Sequence, residues 1–129
     1  FAADVYGLNI AKEHIEDFSE NVTLFYLVGP NPVPLTGNDQ TAIIFNIPNR
    51  KGTLVRVLTA ISLYGESNMN SIHSIPLGSS HEYAFYCEFD GHKDSEQCSR
   101  TIRLIRDVAE KLIILGSFPT PNYLNAPAV

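Results

Sequence analysis

From residue 40 onward the apolar side chains switch between a period of two and a period near 3.6. The order of those switches restricts the fold more than any single motif does. "QTAIIFNIPN" (40–49) is rich in β-branched residues and stops at Pro48, which has no N–H to give to a ladder. "GTLVRVLTAISLYG" (52–65) sets Leu54, Val57, Leu58 and Ile61 on one helical stripe and closes on Gly65. A second strand is predicted near 69–76 and a third near 82–89. In the third, Tyr83, Phe85, Cys87 and Phe89 alternate with Ala84, Tyr86 and Glu88, so the first set is expected to face a core. "DSEQCSRTIRLIRDVAEKL" (94–112) opens with Asp94 and Gln97 at capping-box spacing and aligns Cys98, Ile102, Ile105 and Ala109 on one face. A last strand is expected around 112–117. The order β-α-β-β-α-β predicts an α+β, ferredoxin-like sandwich. Right-handed crossovers would lay both helices on one face of a four-stranded antiparallel sheet.

Upstream of residue 39 the pattern differs. The first 20 residues carry Val5, Leu8, Ile10 and Ile15 at broken helical spacing, which predicts one or two short helical turns. "NVTLFYLVG" (21–29) reads as a strand. "PNPVPLTGND" (30–39) has three prolines in ten residues and reads as a semi-rigid linker, so the division is expected at 1–38 and 39–129. The chain opens at Phe1 without an initiator Met and reads as part of a longer polypeptide. Cys87 and Cys98 fall in a predicted strand and helix, where buried thiols are expected. Neither an apolar run of roughly 18 residues nor a signal peptide is visible, so a cytoplasmic protein without a membrane partner is the expectation.

Three function classes can be weighed on residues alone. "HEYAFYCEF" resembles the aromatic strand of RNA-recognition modules, but His81-Glu82 stands where a basic-Gly pair belongs. The net charge of −5 also opposes phosphate binding, so no nucleic-acid partner is expected. His73, His81, Cys87 and His92 lack any metal-ligand spacing, and neither a metal nor another cofactor is expected. No nucleophile motif or tight carboxylate pair suggests catalysis, and Asp90-Gly91 is turn chemistry. A binding module is left, with "NRKGTLV" (49–55) as its feature. Gly52 would let a ligand approach the backbone, and the amides that follow would attract a carboxylate. On spacing alone an ordinary strand-to-helix turn with a Gly in it is the favoured description.

"KGTLVRVL", "NMNSIHSIP", "EYAFYCEFDGH" and "LIILGSFP" occur in the order found in the C-terminal ACT domain of prephenate dehydratases. "AADVYGLNIAKEHIEDFSENVTLF" resembles the end of that family's catalytic domain, and together the resemblance covers residues 2 to 121. It implies a lyase of phenylalanine biosynthesis that turns prephenate into phenylpyruvate, regulated by L-phenylalanine or another amino acid. It also implies a homodimer or higher homo-oligomer with sheets side by side, the effector lying between the Gly turn of one protomer and the second strand of its neighbour. The implied effector-binding residues are Gly52, Thr53, Leu54, Val55, Asn68, Met69, Asn70, Ile72, His73 and Ser74. Thr23 would be catalytic only within the full enzyme, and this chain alone is expected to be inactive. Some positions depart from the family pattern. Its Gly-Ala-Leu is Gly52-Thr53-Leu54, its Glu and Arg of the second strand are His73 and Ile75, and its Thr-Arg-Phe is Thr23-Leu24-Phe25. With both charges gone from the second strand, the alternative is a dimerisation module whose effector pocket has decayed.

Overall fold

The structure, a computed structural model, describes residues 5–7, 9, 23–78 and 83–121 of the 129. Six elements follow the predicted order. They are β1 (Asp39–Ile47), α1 (Thr53–Thr59, prolonged by a π-helical turn over Ala60–Tyr64), β2 (Met69–Pro76), β3 (Tyr83–Asp90), α2 (Glu96–Val108) and β4 (Lys111–Pro119). The sheet is antiparallel throughout, in the order β2-β3-β1-β4, which is the ferredoxin-like arrangement. β1 is paired on both sides, and β2 and β4 form the edges.

One face of the sheet carries both helices. Ile43, Phe45 and Ile47 of β1 and Cys87 and Phe89 of β3 pack against Val57, Ala60 and Ile61 of the first helix. Cys98, Ile102 and Ile105 of α2 close the same core. The Phe45 and Phe85 rings stack with centroids 5.6 Å apart. Of the aromatics that resembled an RNA-binding strand, Phe85 and Phe89 therefore belong to the core, while Tyr86 is on the opposite face and Tyr83 is exposed at the strand end. Burial pushes the Cys87 thiol up to about 12 and raises that of Cys98, so both behave as inert apolar groups.

Several expectations need correction. Residues 23–29 form no ladder, although their composition predicts a strand; Tyr26 is laid over the sheet face, with the prolines of 30–34 following it. Residues 21–22 lie outside the described residues, as do Leu8, Ile10 and Ile15; Val5 and Tyr6 are helical before the turn at Gly7. His81, read as a turn residue, is also outside them. The N-cap of α2 is Ser95, not Asp94. Ser95 Oγ accepts from the Cys98 amide, while the Gln97 side chain reaches across to the Gly65 carbonyl. Ala109 is the C-cap of that helix and already extended. Among the described residues no helix is long and apolar enough to cross a membrane.

Gly65, where the π turn ends, shows how closely the helices meet. A Cβ built there would lie 2.2 Å from Thr101 Oγ1 of α2 and 2.6 Å from the Ile61 carbonyl oxygen. Gly65→Ala should therefore destabilise the fold by roughly 1–3 kcal/mol in urea denaturation. Thr101→Ala in the same chain should not restore the loss, because the backbone clash persists.

Candidate functional site

Pro48 ends β1, and the turn that follows is built from its own backbone. The Arg50 amide donates to the Pro48 carbonyl at 2.8 Å. The Thr53 hydroxyl donates to the Arg50 carbonyl at 2.9 Å, which occupies that buried side chain. Gly52 sits at φ +81, in the left-handed region that a β-carbon disfavours. The first intrahelical bond runs from the Arg56 amide to the Gly52 carbonyl at 3.1 Å, so the Leu54 and Val55 amides precede it and have no partner within the helix. A hollow of about 180 Å³ opens beside this turn, lined by Arg50, Gly52, Leu54, Val55, Tyr83 and Phe85 among others.

The register of β2 decides which expected site residues can meet. Pro76 lies opposite Tyr83, so the C-terminal end of β2 is the end near the hollow. Met69 lies opposite Phe89, and the Asn68 carbonyl accepts from the Asp90 amide. Asn68, Met69 and Asn70 are therefore at the far end, roughly 20 Å away along the strand. Met69 packs against the core and Asn70 Nδ2 donates to Asp90 Oδ1 at 2.7 Å. Ile72 and Ser74 pair with Cys87 and Phe85 and share their helix-side face. His73 pairs with Tyr86 on the opposite face, where its Nε2 is 2.9 Å from Ser71 Oγ. Within one chain the structure thus gathers Gly52, Thr53, Leu54 and Val55 at the end where Ser74 lies, and separates them from Asn68, Met69, Asn70 and His73. Thr23 lies in the irregular segment, exposed.

A second cluster, which sequence reasoning missed, occupies the outer face of the sheet. Alternation places Ala84 and Glu88 away from the core, yet they are only 3% and 5% exposed. Glu88 is covered by the segment before β1. Tyr26 from that segment and Tyr86 from β3 both donate hydroxyl hydrogen bonds to Glu88 Oε1. The Tyr26 ring meets Phe118 edge-on with centroids 5.9 Å apart. Further along, His92 Nε2 lies 2.9 Å from the Val33 carbonyl. Burial, followed by the bond to Glu88, raises the Tyr86 hydroxyl above its ordinary pKa. Between segment and sheet lies a cavity of about 630 Å³. The one sequence signal for this cluster is a carboxylate in the middle of an apolar strand, "YCEF".

Asp39 secures the end of that segment. Its Oδ2 accepts from the Thr36 and Gly37 amides at 2.9 and 3.0 Å, and its Oδ1 from the Thr36 hydroxyl at 2.6 Å. Burial alone would raise this carboxyl, but the hydrogen bonds outweigh it and hold the group below the usual carboxylate range. A depressed carboxyl lends stability that is present above its unfolded pKa and lost as pH falls through the folded one. The stability gap between the unaltered chain and Asp39→Asn, read from urea midpoints, should therefore narrow as pH falls from about 7 to about 3.

The chain matches no protein-family model. It is 30% identical over 119 residues to the bifunctional chorismate mutase/prephenate dehydratase of Aquifex aeolicus, covering 92% of this chain and 33% of that protein. It is 32% identical over 132 residues to a prephenate dehydratase of a Mycobacterium species, covering 98% of this chain and 41% of that one. The chain thus spans about a third of the length of the first curated relatives it matches. Among solved structures, GqqA, described as a novel type of quorum-quenching acylase, superposes with a TM-score of 0.70 at 23% identity, over 78% of this chain and 52% of that one. The prephenate dehydratase of Arthrobacter aurescens in complex with L-Phe superposes with a TM-score of 0.66 at 23% identity, over 78% of this chain and 33% of that one.

Proposed function

We propose that this chain, homologous over 92% of its length to the prephenate dehydratases, supplies the ACT-type regulatory domain of such an enzyme in residues 39–129. On this reading residues 1–38 are the tail of the catalytic domain and its linker. Thr23 then acts only once the remainder of the enzyme surrounds it, in a cytoplasmic protein that decarboxylates and dehydrates prephenate to phenylpyruvate. The effector is an amino acid, L-phenylalanine first, in keeping with the solved relative that holds L-Phe.

The observation that carries the reading is the Gly52 turn, a left-handed glycine opening a helix beside a hollow at the end of the sheet. A carboxylate suits the Leu54 and Val55 amides, with Arg50 in the same wall. The hollow, at about 180 Å³, is smaller than the roughly 300–1,000 Å³ of a complete small-molecule pocket. Half a site fits that volume, and a second copy of the chain supplies the rest. β2 is an edge strand, and an open edge invites pairing. Antiparallel pairing of β2 with its copy would carry Asn68 and Asn70 of one chain to the Gly52 turn of the other. The residues that β2 separates within a chain would then meet across the dimer, with Asn68 and Asn70 offering acceptors to the ammonium.

Isothermal titration with the aromatic amino acids, run beside sedimentation at about 100 micromolar, tests this. A dimer that binds L-phenylalanine is the expected outcome. Val55 is exposed, so Val55→Glu should leave the fold intact while repelling the carboxylate, weakening binding roughly tenfold or more, about 1.4 kcal/mol. A dimer that gives no heat with any amino acid would favour the dimerisation module with a decayed pocket, to which His73 and Ile75 in place of charged family residues lend weight. A monomer that binds nothing would remove both readings.

A further inference from the structure

The cavity over the outer face of the sheet owes its depth to two small residues. Ala42 of β1 and Gly116 of β4 are paired across the sheet, and both line it. A Cβ built at Gly116 would meet nothing within 4 Å, so the space beside this pair is open. The register shifts between Ala42 and Ile43, which leaves Leu115 without a partner in β1. A bulge of this kind re-aims its side chain, and Leu115, 54% exposed, is in the cavity wall with Ile114 and Phe118. The other wall is the segment 26–33, fastened at both ends. Tyr26 bonds Glu88 at one end, and at the other the Val33 carbonyl lies 2.9 Å from His92 Nε2. Pro30 and Pro32 between them fix φ and stiffen the span. The cavity is therefore pre-formed, and at about 630 Å³ it is within the usual range for a small organic ligand.

Most of the polar side chains in its walls are already engaged. The Tyr26 and Tyr86 hydroxyls donate to Glu88. Ser117 Oγ is 2.9 Å from both Thr41 Oγ1 and the Lys93 amide nitrogen, and the Lys93 ammonium is 3.0 Å from Asp94 Oδ1. No Asp, Glu, Arg or His is among the described residues that line the cavity. An ion entering it would give up water and gain no free counter-charge, which disfavours both signs. Asn31, exposed and also in the wall, can hydrogen-bond an uncharged group. We propose that this cavity binds an uncharged, largely apolar molecule of aromatic size, such as an arylalkyl alcohol or amide, its body over Ala42 and Gly116 and against Leu115 and Phe118. The same argument turns away a zwitterionic amino acid, so the site is separate from the Gly52 turn and stands whether or not an effector binds there.

The test is a nuclear magnetic resonance titration of the isotopically labelled 129-residue chain with three probes of matched shape: 4-phenylbutan-1-ol, 4-phenylbutylamine and 4-phenylbutanoate. At about pH 7 the amine is a cation and the carboxylate an anion. The alcohol should shift the amides of Ala42, Leu115 and Gly116 with an apparent Kd of about 1 mM or lower, and leave Leu54 and Val55 in place. The amine and the carboxylate should each bind roughly tenfold or more weakly. Leu115 is exposed, so Leu115→Asn should leave the fold intact while weakening the alcohol roughly fivefold. No shifts at millimolar alcohol, shifts elsewhere than the cavity, an ion that binds as tightly as the alcohol, or undiminished binding to Leu115→Asn would each overturn the proposal. The comparison of the three probes on the unaltered chain decides the matter even where Leu115→Asn fails to fold.

Discussion

Strand β1 is hydrogen-bonded along both sides, and the rest of the molecule hangs from its two ends. Fully paired strands hold their register because each slip would move every side chain to the wrong face. Ile43, Phe45 and Ile47 are thereby committed to the helix side, and the core assembles on them. At the C-terminal end Pro48 cannot extend the ladder, and the chain turns through Gly52 into α1. At the N-terminal end Asp39 gathers the Thr36 and Gly37 donors, which anchors the residues that run on to Tyr26 over the other face. One strand therefore positions both a helix start and a covered sheet face.

The two faces of the sheet do different things because β3 alternates so strictly. Phe85, Cys87 and Phe89 close the helix-side core, while Tyr86 and Glu88 point the opposite way. An uncovered outer face would leave Glu88 in water, where a carboxylate has no structural consequence. Covered by Tyr26, the same residue becomes a buried charge held by two hydroxyls. The helix side of the sheet edge suits an anion, through unpartnered amides and Arg50. The outer face carries Glu88 under the hydroxyls of Tyr26 and Tyr86. This difference between the faces follows from the pleat and requires no irregularity in β3.

Much of this was legible in the chain because it is local. The stop at Pro48, the stripe of Leu54, Val57 and Ile61 and the alternation of Phe85, Cys87 and Phe89 each arise within one element and stand as the spacing requires, whereas Leu58 and Tyr83, expected with them, are not part of the core. What was not legible depends on distant partners. Glu88 is buried by Tyr26, 62 residues away in sequence, and no periodicity within β3 reports that. Ser95 and Asp94 are both good N-cap residues; the choice follows from the turn in which the Ser95 hydroxyl and amide bond the His92 carbonyl. The facing of His73 depends on the irregularity at Asn70, where the pairing steps from Met69–Phe89 to Ser71–Glu88. One extra residue there decides which side of the sheet each later β2 side chain meets. The apolar segment 23–29 has strand composition and no ladder, because composition supplies a preference for extended backbone and not a neighbouring edge to pair with.

The central claim is that an amino acid binds where the Gly52 turn of one chain meets the start of β2 from another. The most direct test is a titration of isotopically labelled chain with L-phenylalanine, followed amide by amide by nuclear magnetic resonance. The account predicts that Leu54 and Val55 shift together with Asn68 and Asn70, with one apparent affinity, although these pairs lie at opposite ends of β2 within a single chain. Amides of Tyr86 and Glu88 on the outer face should stay in place. Shifts at Leu54 and Val55 without Asn68 and Asn70, shifts confined to the outer face, or no shifts at all would contradict it.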